Sequence, residues 1–347
     1  MIRMNNDYSR GCIPAILHVL ESSNSEDFAG YGDDGLCHAA IDLLREEIGW
    51  EDADIHFFPG ATQANLTIHA AALRPTESVI AAETGHIVGH ECASIEATGH
   101  KILTAAPAST DGKLTAADVE KIVSAYQEAG AAEYLTEPRM VYISQPTEYG
   151  GLYTLEELQL LKDVCEDNDL YLYVDGARLA YALGAEGNDV TLWDLAALCD
   201  AFTIGGTKCG ALFGEAMVIT NDALKRRFKA QMKQQGAVLA KGWLMGIQFY
   251  TLFKNGDYAR LGAEADKQAL RIREGARAAG VDLYTESATN QQFLLLNKEQ
   301  CHALGRTFVY EDFGASADGR RIVRLCTSWS TDPLEVDALV SALSYLS

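Results

Sequence analysis

The sequence predicts an α/β protein: a mainly parallel sheet flanked by helices, followed by a smaller α+β unit. Three observations carry this expectation. Short apolar runs suited to buried strands, among them residues 140–144, 170–174 and 201–204, alternate with segments of helical periodicity. Several of these runs end in polar or glycine-rich turns, and ligands of open α/β sheets bind at such strand ends. Past residue 280 the order changes to successive strands closed by one helix, the pattern of a small α+β layer. The 347 residues allow an N-terminal arm at 1–13, a large unit at 14–250 and a small one at 251–347.

In order along the chain, residues 1–11 are polar and read as an arm. Pro14 starts a helix carrying Ile16, Leu17, Val19 and Leu20, and a loop rich in turn residues at 29–35 precedes a helix at 38–48. A short strand at 56–58 meets the turn Pro59-Gly60-Ala61-Thr62 and a helix at 64–73. Strand, turn and helix in that order make an anion site, with Thr62 either adding a hydroxyl or simply capping the helix. Strands follow at 78–82, 101–103 and 140–144, with a helix at 115–129 between the last two. Thr154 and Glu157 form a capping box for a helix to about 168. After a strand at 216–219, helices are expected at 222–235, 236–253 and 258–280. The small unit then has strands at 281–284, 292–297, 307–309 and 321–326 and a helix at 332–346.

A net charge of −21 argues against nucleic acid or an anionic membrane surface as partner. No apolar run reaches the roughly 18 residues of a membrane span. Eight scattered cysteines without a C-x-x-C pair or a secretory leader read as reduced thiols in the cytoplasm.

Two residues organise the rest. Asp175 stands at the end of the 170–174 strand, in Asp175-Gly176-Ala177-Arg178. Lys208 follows the 201–204 strand, in Gly205-Gly206-Thr207-Lys208. Pyridoxal phosphate chemistry needs this pair: a lysine to condense with the aldehyde and a carboxylate to keep the ring nitrogen protonated. Arg324 lies inside an apolar strand, where a guanidinium requires an anion, either an acid across the sheet or a ligand. His86 and His90 have zinc-ligand spacing, but Ile87 stands where the metalloprotease pattern needs Glu, so no metal is expected.

Val174-Asp175-Gly176-Ala177-Arg178-Leu179 with Gly206-Thr207-Lys208 resembles the low-specificity threonine aldolase group of the β-eliminating lyases, and the likeness runs from Asn6-Asp7 to Arg324-Leu325. The resemblance implies fold type I of the pyridoxal 5'-phosphate enzymes, with a mainly parallel seven-stranded sheet. It implies Lys208 as the cofactor lysine, with Asp175 at the ring nitrogen and His86 stacked on the ring. Gly60, Ala61, Thr62 and Thr207 would hold the phosphate. Arg178 and Arg324 would orient the carboxylate of a small amino-acid substrate, with Asn6 and Tyr31 on the same side. It also implies a homodimer or larger assembly. The basic stretch Lys225, Arg226, Arg227, Lys229 and Lys233 is either a solvated face or a patch near a neighbour's phosphate, with Lys241 the specific candidate.

The reaction expected is cleavage of threonine or allo-threonine to glycine and acetaldehyde. Three departures bear on it: Asn6-Asp7 replaces the group's Ser-Asp, Lys233-Gln234-Gln235 replaces a Met-Arg-Gln run, and Thr147-Glu148 stands where many members carry a second histidine. His86 is then the first candidate for the β-hydroxyl base and Glu148 the next; His90, Glu91 and His100 read as structural. β-Elimination and racemisation remain as alternative reactions. A nucleotide-binding α/β protein is the alternative outside this chemistry, opposed by the lack of G-x-G-x-x-G after a strand.

Overall fold

The computed structural model describes residues 1–346. Strand β1 (Ile2–Arg3) opens the chain, and the next seven strands build the main sheet: β2 (Asp54–Phe58), β3 (Glu77–Ala82), β4 (Lys101–Ala105), β5 (Glu137–Ser144), β6 (Tyr171–Asp175), β7 (Ala201–Gly205) and β8 (Glu215–Ile219). Their order is β2-β8-β7-β6-β5-β3-β4. β8 runs against both neighbours and the other pairings are parallel. The sheet is covered on both faces, so β7 and β8 are buried at every position. Alternation along the strands divides two cores. Val141, Ile143, Leu172 and Val174 pack on one face with Cys37 and Leu44 of the helix Gly35–Ile48. Met140, Tyr142 and Tyr173 pack on the other with Ala64 and Ile68 of the helix Ala61–Ala72.

Parallel β5, β6 and β7 end together at Ser144, Asp175 and Gly205, and this edge carries the site. Backbones approach closely there. A Cβ at Gly176 would sit against the Thr203 carbonyl, and one at Gly205 against that of Ala177. Glycine at both positions lets β6 and β7 release their turns side by side.

The small lobe is an antiparallel sheet, β11-β12-β9, built from β9 (Gln291–Leu296), β11 (Glu311–Ala315) and β12 (Arg321–Cys326), while β10 (Phe308–Val309) pairs in parallel with β1. Its core contains Ile272 of the helix Asp257–Ala278, Leu294, Val323, Leu339 of the helix Pro333–Leu343, and Met4. No helix among the described residues is long and apolar enough to cross a membrane.

Several expected elements differ. The arm contains β1, because Ile2 and Met4 are apolar and bond to Thr307 and Val309. The basic helix 222–235 is two short helices, Asp222–Lys225 and Phe228–Gln234, broken where Arg227 takes φ 60°. The helix 236–253 begins only at Trp243, since Gly236 at φ 77° ends the preceding helix. Residues 281–284 make one bridge, Leu283 to Leu294, and no strand. The helices Leu179–Gly184, Leu192–Leu198 and Lys298–Gly305 and strand β11 were not expected. The capping box at Thr154 and Glu157 is present.

Candidate active site

At the C-terminal ends of β5, β6 and β7 lies a small, partly open cavity lined by Ala61, His86, Ser144, Pro146, Glu148, Asp175, Ala177, Arg178 and Lys208. Lys208 is presented by the turn after β7. Tyr181 Oη donates to its carbonyl at 2.5 Å, and Tyr258 Oη donates to the carbonyl of Gly205 at 2.8 Å. Burial and the Arg178 charge push the Lys208 ammonium below the ordinary lysine range, against the pull of Asp7, Asp175 and Glu215. A lysine so placed yields a neutral, nucleophilic amine more readily.

Asp175 is 4% exposed. Its Oδ2 accepts from Asn65 Nδ2 and Tyr142 Oη, both at 2.8 Å, and its Oδ1 accepts from the Ala177 amide at 2.9 Å. Burial alone would raise its pKa. The charge of His86, the bonds from Asn65 and Ala177 and the charge of Lys208 outweigh it and hold the carboxyl below the usual range. Asn65 also donates to Glu91 Oε1 at 2.8 Å and accepts from Tyr173 Oη at 2.7 Å. Glu91 in turn sits 2.7 Å from His86 Nδ1 and accepts from Ser94 Oγ at 2.6 Å. Asp175, Asn65, Glu91 and His86 therefore form one continuous network, which makes Glu91 part of the site rather than a remote structural acid.

The helix Ala61–Ala72 starts at the same edge. Its N-cap is Gly60, with no side-chain cap, so the first-turn N–H groups point out of the helix end. Thr62 is not the cap; it lies in the first turn, exposed, and among the described residues nothing bonds to its hydroxyl. Thr207 Oγ1 accepts from the Gly214 amide at 3.0 Å, and Glu215 accepts from the Gly206 amide at 3.1 Å. Burial pushes Glu215 up to about 7.

On the opposite wall, Arg178 Nε and Nη2 donate to Asp7 at 2.7 and 3.1 Å. Asp7 also accepts from Asn290 at 2.9 Å. Burial would raise the Asp7 pKa, but Arg178 and Lys208 hold it below the ordinary carboxylate range. Arg324 differs. It is 9% exposed, donates to the neutral oxygens of Gln291 and Asn5 at 3.1 Å, and lies 4.6 Å over the Phe313 ring. Its Nε has no partner, and among the described residues no carboxylate pairs with it. A chain of rings, Phe313 to His90 at 6.3 Å and His90 to His86 at 5.6 Å, leads from Arg324 to the cavity.

The fold thus gathers Ala61, His86, Asp175, Arg178 and Lys208, with Gly60 and Thr207 as their immediate neighbours. It does not gather Asn6, Tyr31 or Lys241. Asn6 accepts from its own turn, from the Tyr8 amide and Ser9 Oγ, and Asp7 faces Arg178 in its place. Tyr31 is 50% exposed, at φ 63°, with Lys233 4.6 Å over its ring. Lys241 is exposed in the turn before Trp243. Thr147 also turns away, donating to the Asp111 carbonyl and accepting from the Gly151 amide, so the loop offers Glu148 alone. Sequence reasoning missed Asp7, Asn65 and Glu91. The signal for Asp7 was the buried Arg178, which needs an acid.

The architecture is that of the aspartate aminotransferase fold. Thermus thermophilus aspartate aminotransferase superposes with a TM-score of 0.75 at 12% identity, over 100% of this chain and 92% of that one. That likeness shows the fold alone; at its strand ends this chain places the half-buried Lys208 and the buried Asp175 in one cavity. Residues 13–299 match the model of the beta-eliminating lyase family, and the chain belongs to that family. It is 30% identical over 344 residues to a Pseudomonas protein named low specificity L-threonine aldolase, covering 97% of this chain and 95% of that protein. A Leishmania major structure described as threonine aldolase matches with a TM-score of 0.96 and 44% identity, over 100% of this chain and 99% of the other.

Proposed function

We propose that this protein is a pyridoxal 5'-phosphate-dependent aldolase that cleaves a β-hydroxy-α-amino acid, threonine or allo-threonine, to glycine and an aldehyde. The observation that carries this reading is the meeting of Lys208, Asp175, His86 and Arg178 in one cavity. The names of the Pseudomonas and Leishmania relatives support the choice of substrate. The residues fit the cofactor. Lys208 has the depressed pKa of an amine that condenses with an aldehyde. Asp175 stays ionised, as a partner for a protonated ring nitrogen must. The open first turn at Gly60, Ala61 and Thr62, with Thr207 close by, suits a phosphate. His86, steadied by Glu91, offers a flat ring at the cavity wall. When bound, pyridoxal phosphate supplies the electron sink for the bond broken at Cα.

The chain's own residues do the rest. Arg324, a guanidinium with no acid of its own, takes the substrate α-carboxylate, and Arg178, held by Asp7, flanks it. Asp7, itself bonded by Asn290, holds the Arg178 guanidinium through Nε and Nη2. We also propose a homodimer or larger. Tyr31, Lys233 and Lys241 form an exposed aromatic and cationic surface in an acidic chain, suited to a neighbouring subunit's phosphate. One experiment covers both points: a panel of β-hydroxy amino acids incubated with protein sized by light scattering, with glycine and aldehyde measured. Glycine and acetaldehyde from threonine or allo-threonine by a dimer or larger species are expected. A loaded protein that makes no glycine from any member of the panel would make β-elimination the better reading, and an active monomer would remove the assembly.

A further inference from the structure

Two carboxylates line the cavity, and they differ in how their oxygens are used. Asp175 accepts on both, from Ala177, Asn65 and Tyr142. Glu148 accepts on one only. Its Oε1 takes Ser144 Oγ at 2.7 Å and the His86 amide at 2.9 Å, and among the described residues no other residue donates to Oε2. The two bonds to Oε1 come from different elements, the end of β5 and the segment after β3. They anchor Oε1, and Glu148 is part of the cavity lining.

We propose that Glu148 is the catalytic base that takes the proton of the substrate's β-hydroxyl, an assignment that rests on the aldolase reading above. The O–H proton passes to Glu148 Oε2 and the O–H electron pair becomes the second bond of the aldehyde carbonyl. The Cα–Cβ bond breaks with its pair remaining on Cα, where a later proton completes glycine. An acid in the wall of a site that admits an α-carboxylate repels that carboxylate unless the substrate brings a donor to it, and a β-hydroxyl is such a donor. Burial lifts the Glu148 pKa above the ordinary carboxylate range, with Asp175 adding to the rise and the Ser144 bond and His86 charge opposing it, so the oxygen is more basic than a solvated glutamate. His86, the first candidate from the sequence, is committed elsewhere. Its Nδ1 edge is held by Glu91 and its amide by Glu148, and a ring that serves as a stacking surface presents its face rather than a nitrogen.

The test separates the β-hydroxyl step from everything else the site does. In Glu148→Gln the side-chain oxygen keeps its Ser144 and His86 donors. The holoenzyme variant should keep the cofactor absorbance and the exchange of the glycine α-proton with deuterium from solvent, while threonine cleavage falls by roughly 10²- to 10⁴-fold. Cleavage at the wild-type rate would overturn the proposal. So would loss of exchange and cleavage together, because the acid would then serve binding rather than the hydroxyl. If Glu148→Gln does not fold, Glu148→Ala with added formate decides: restored cleavage supports the base, and no restoration at saturating formate overturns it. A wild type that yields no glycine from any β-hydroxy amino acid is the distinct result that defeats the aldolase reading itself, and this assignment with it.

Discussion

The two walls of the cavity are satisfied to different degrees. On the side of Asp175, every buried polar atom of Asp175, Asn65, Glu91 and Tyr142 has a partner within the chain, in a network that ties β5, β6 and the helix Ala61–Ala72 together. On the side of Arg324, the buried atoms Asn5 Oδ1, Asn290 Oδ1, Gln291 Nε2, Gln292 Oε1 and Arg324 Nε have none among the described residues. Such atoms cost folding free energy. Five such atoms cluster around Arg324, whereas beside the Asp175 network the one open atom among the described residues is Nε2 of His69, whose ring packs against Tyr142 and Tyr173. The proposed placement of a resident cofactor against the Asp175 network and of an exchanging substrate carboxylate at Arg324 matches that difference.

The contrast predicts how variants should separate. Among variants of these two walls, the largest effect belongs to Asp175→Asn. It removes the fixed charge and turns one of two accepting oxygens into a donor while keeping the side chain's shape, so the protein should load cofactor while turnover falls on the order of 10²- to 10³-fold. Near-normal turnover would mean that the charge has another role. Arg324→Lys should act on binding: it keeps a cation but loses the planar fork, and KM should rise roughly 10- to 100-fold with kcat changed less. A fall in kcat at constant KM would remove the distinction between the walls. The smallest effect is expected for Tyr173→Phe, which strips Asn65 Oδ1 of its donor inside the Asp175 network. Unfolding in denaturant should show a loss of about 1–3 kcal/mol with KM unmoved. A rise in KM there would mean that the network reaches the substrate.

The two walls were also not equally legible in the sequence. Asp175 and Lys208 could be read because each ends an apolar strand and precedes a glycine-marked turn, and parallel strands bring their ends to one edge. Arg324 could be read because an arginine in an apolar strand must have a reason. Asn65, Glu91 and Asp7 could not, since nothing local distinguishes them. Asn65 is a polar residue in a helix, Glu91 lies in an irregular stretch, and Asp7 stands beside an equally plausible Asn6. Each acquires its role from a contact far along the chain, 110 residues for Asn65 with Asp175 and 171 for Asp7 with Arg178. The choice between Thr147 and Glu148 was hidden for a similar reason, because a bond to Asp111 turns Thr147 away. Tyr31 and Lys241 were assigned to the site by likeness, and this chain alone leaves them on its surface.

Lys208 is the residue proposed to carry the cofactor, and one measurement reaches it directly. Borohydride reduction of the pyridoxal-phosphate-loaded protein fixes the lysine-bound group as a stable secondary amine, and peptide mapping locates it. The expected label is on Lys208, in the peptide containing Gly206-Thr207-Lys208-Cys209. A label on any other lysine, or none on a protein that is loaded and active, would contradict the central claim.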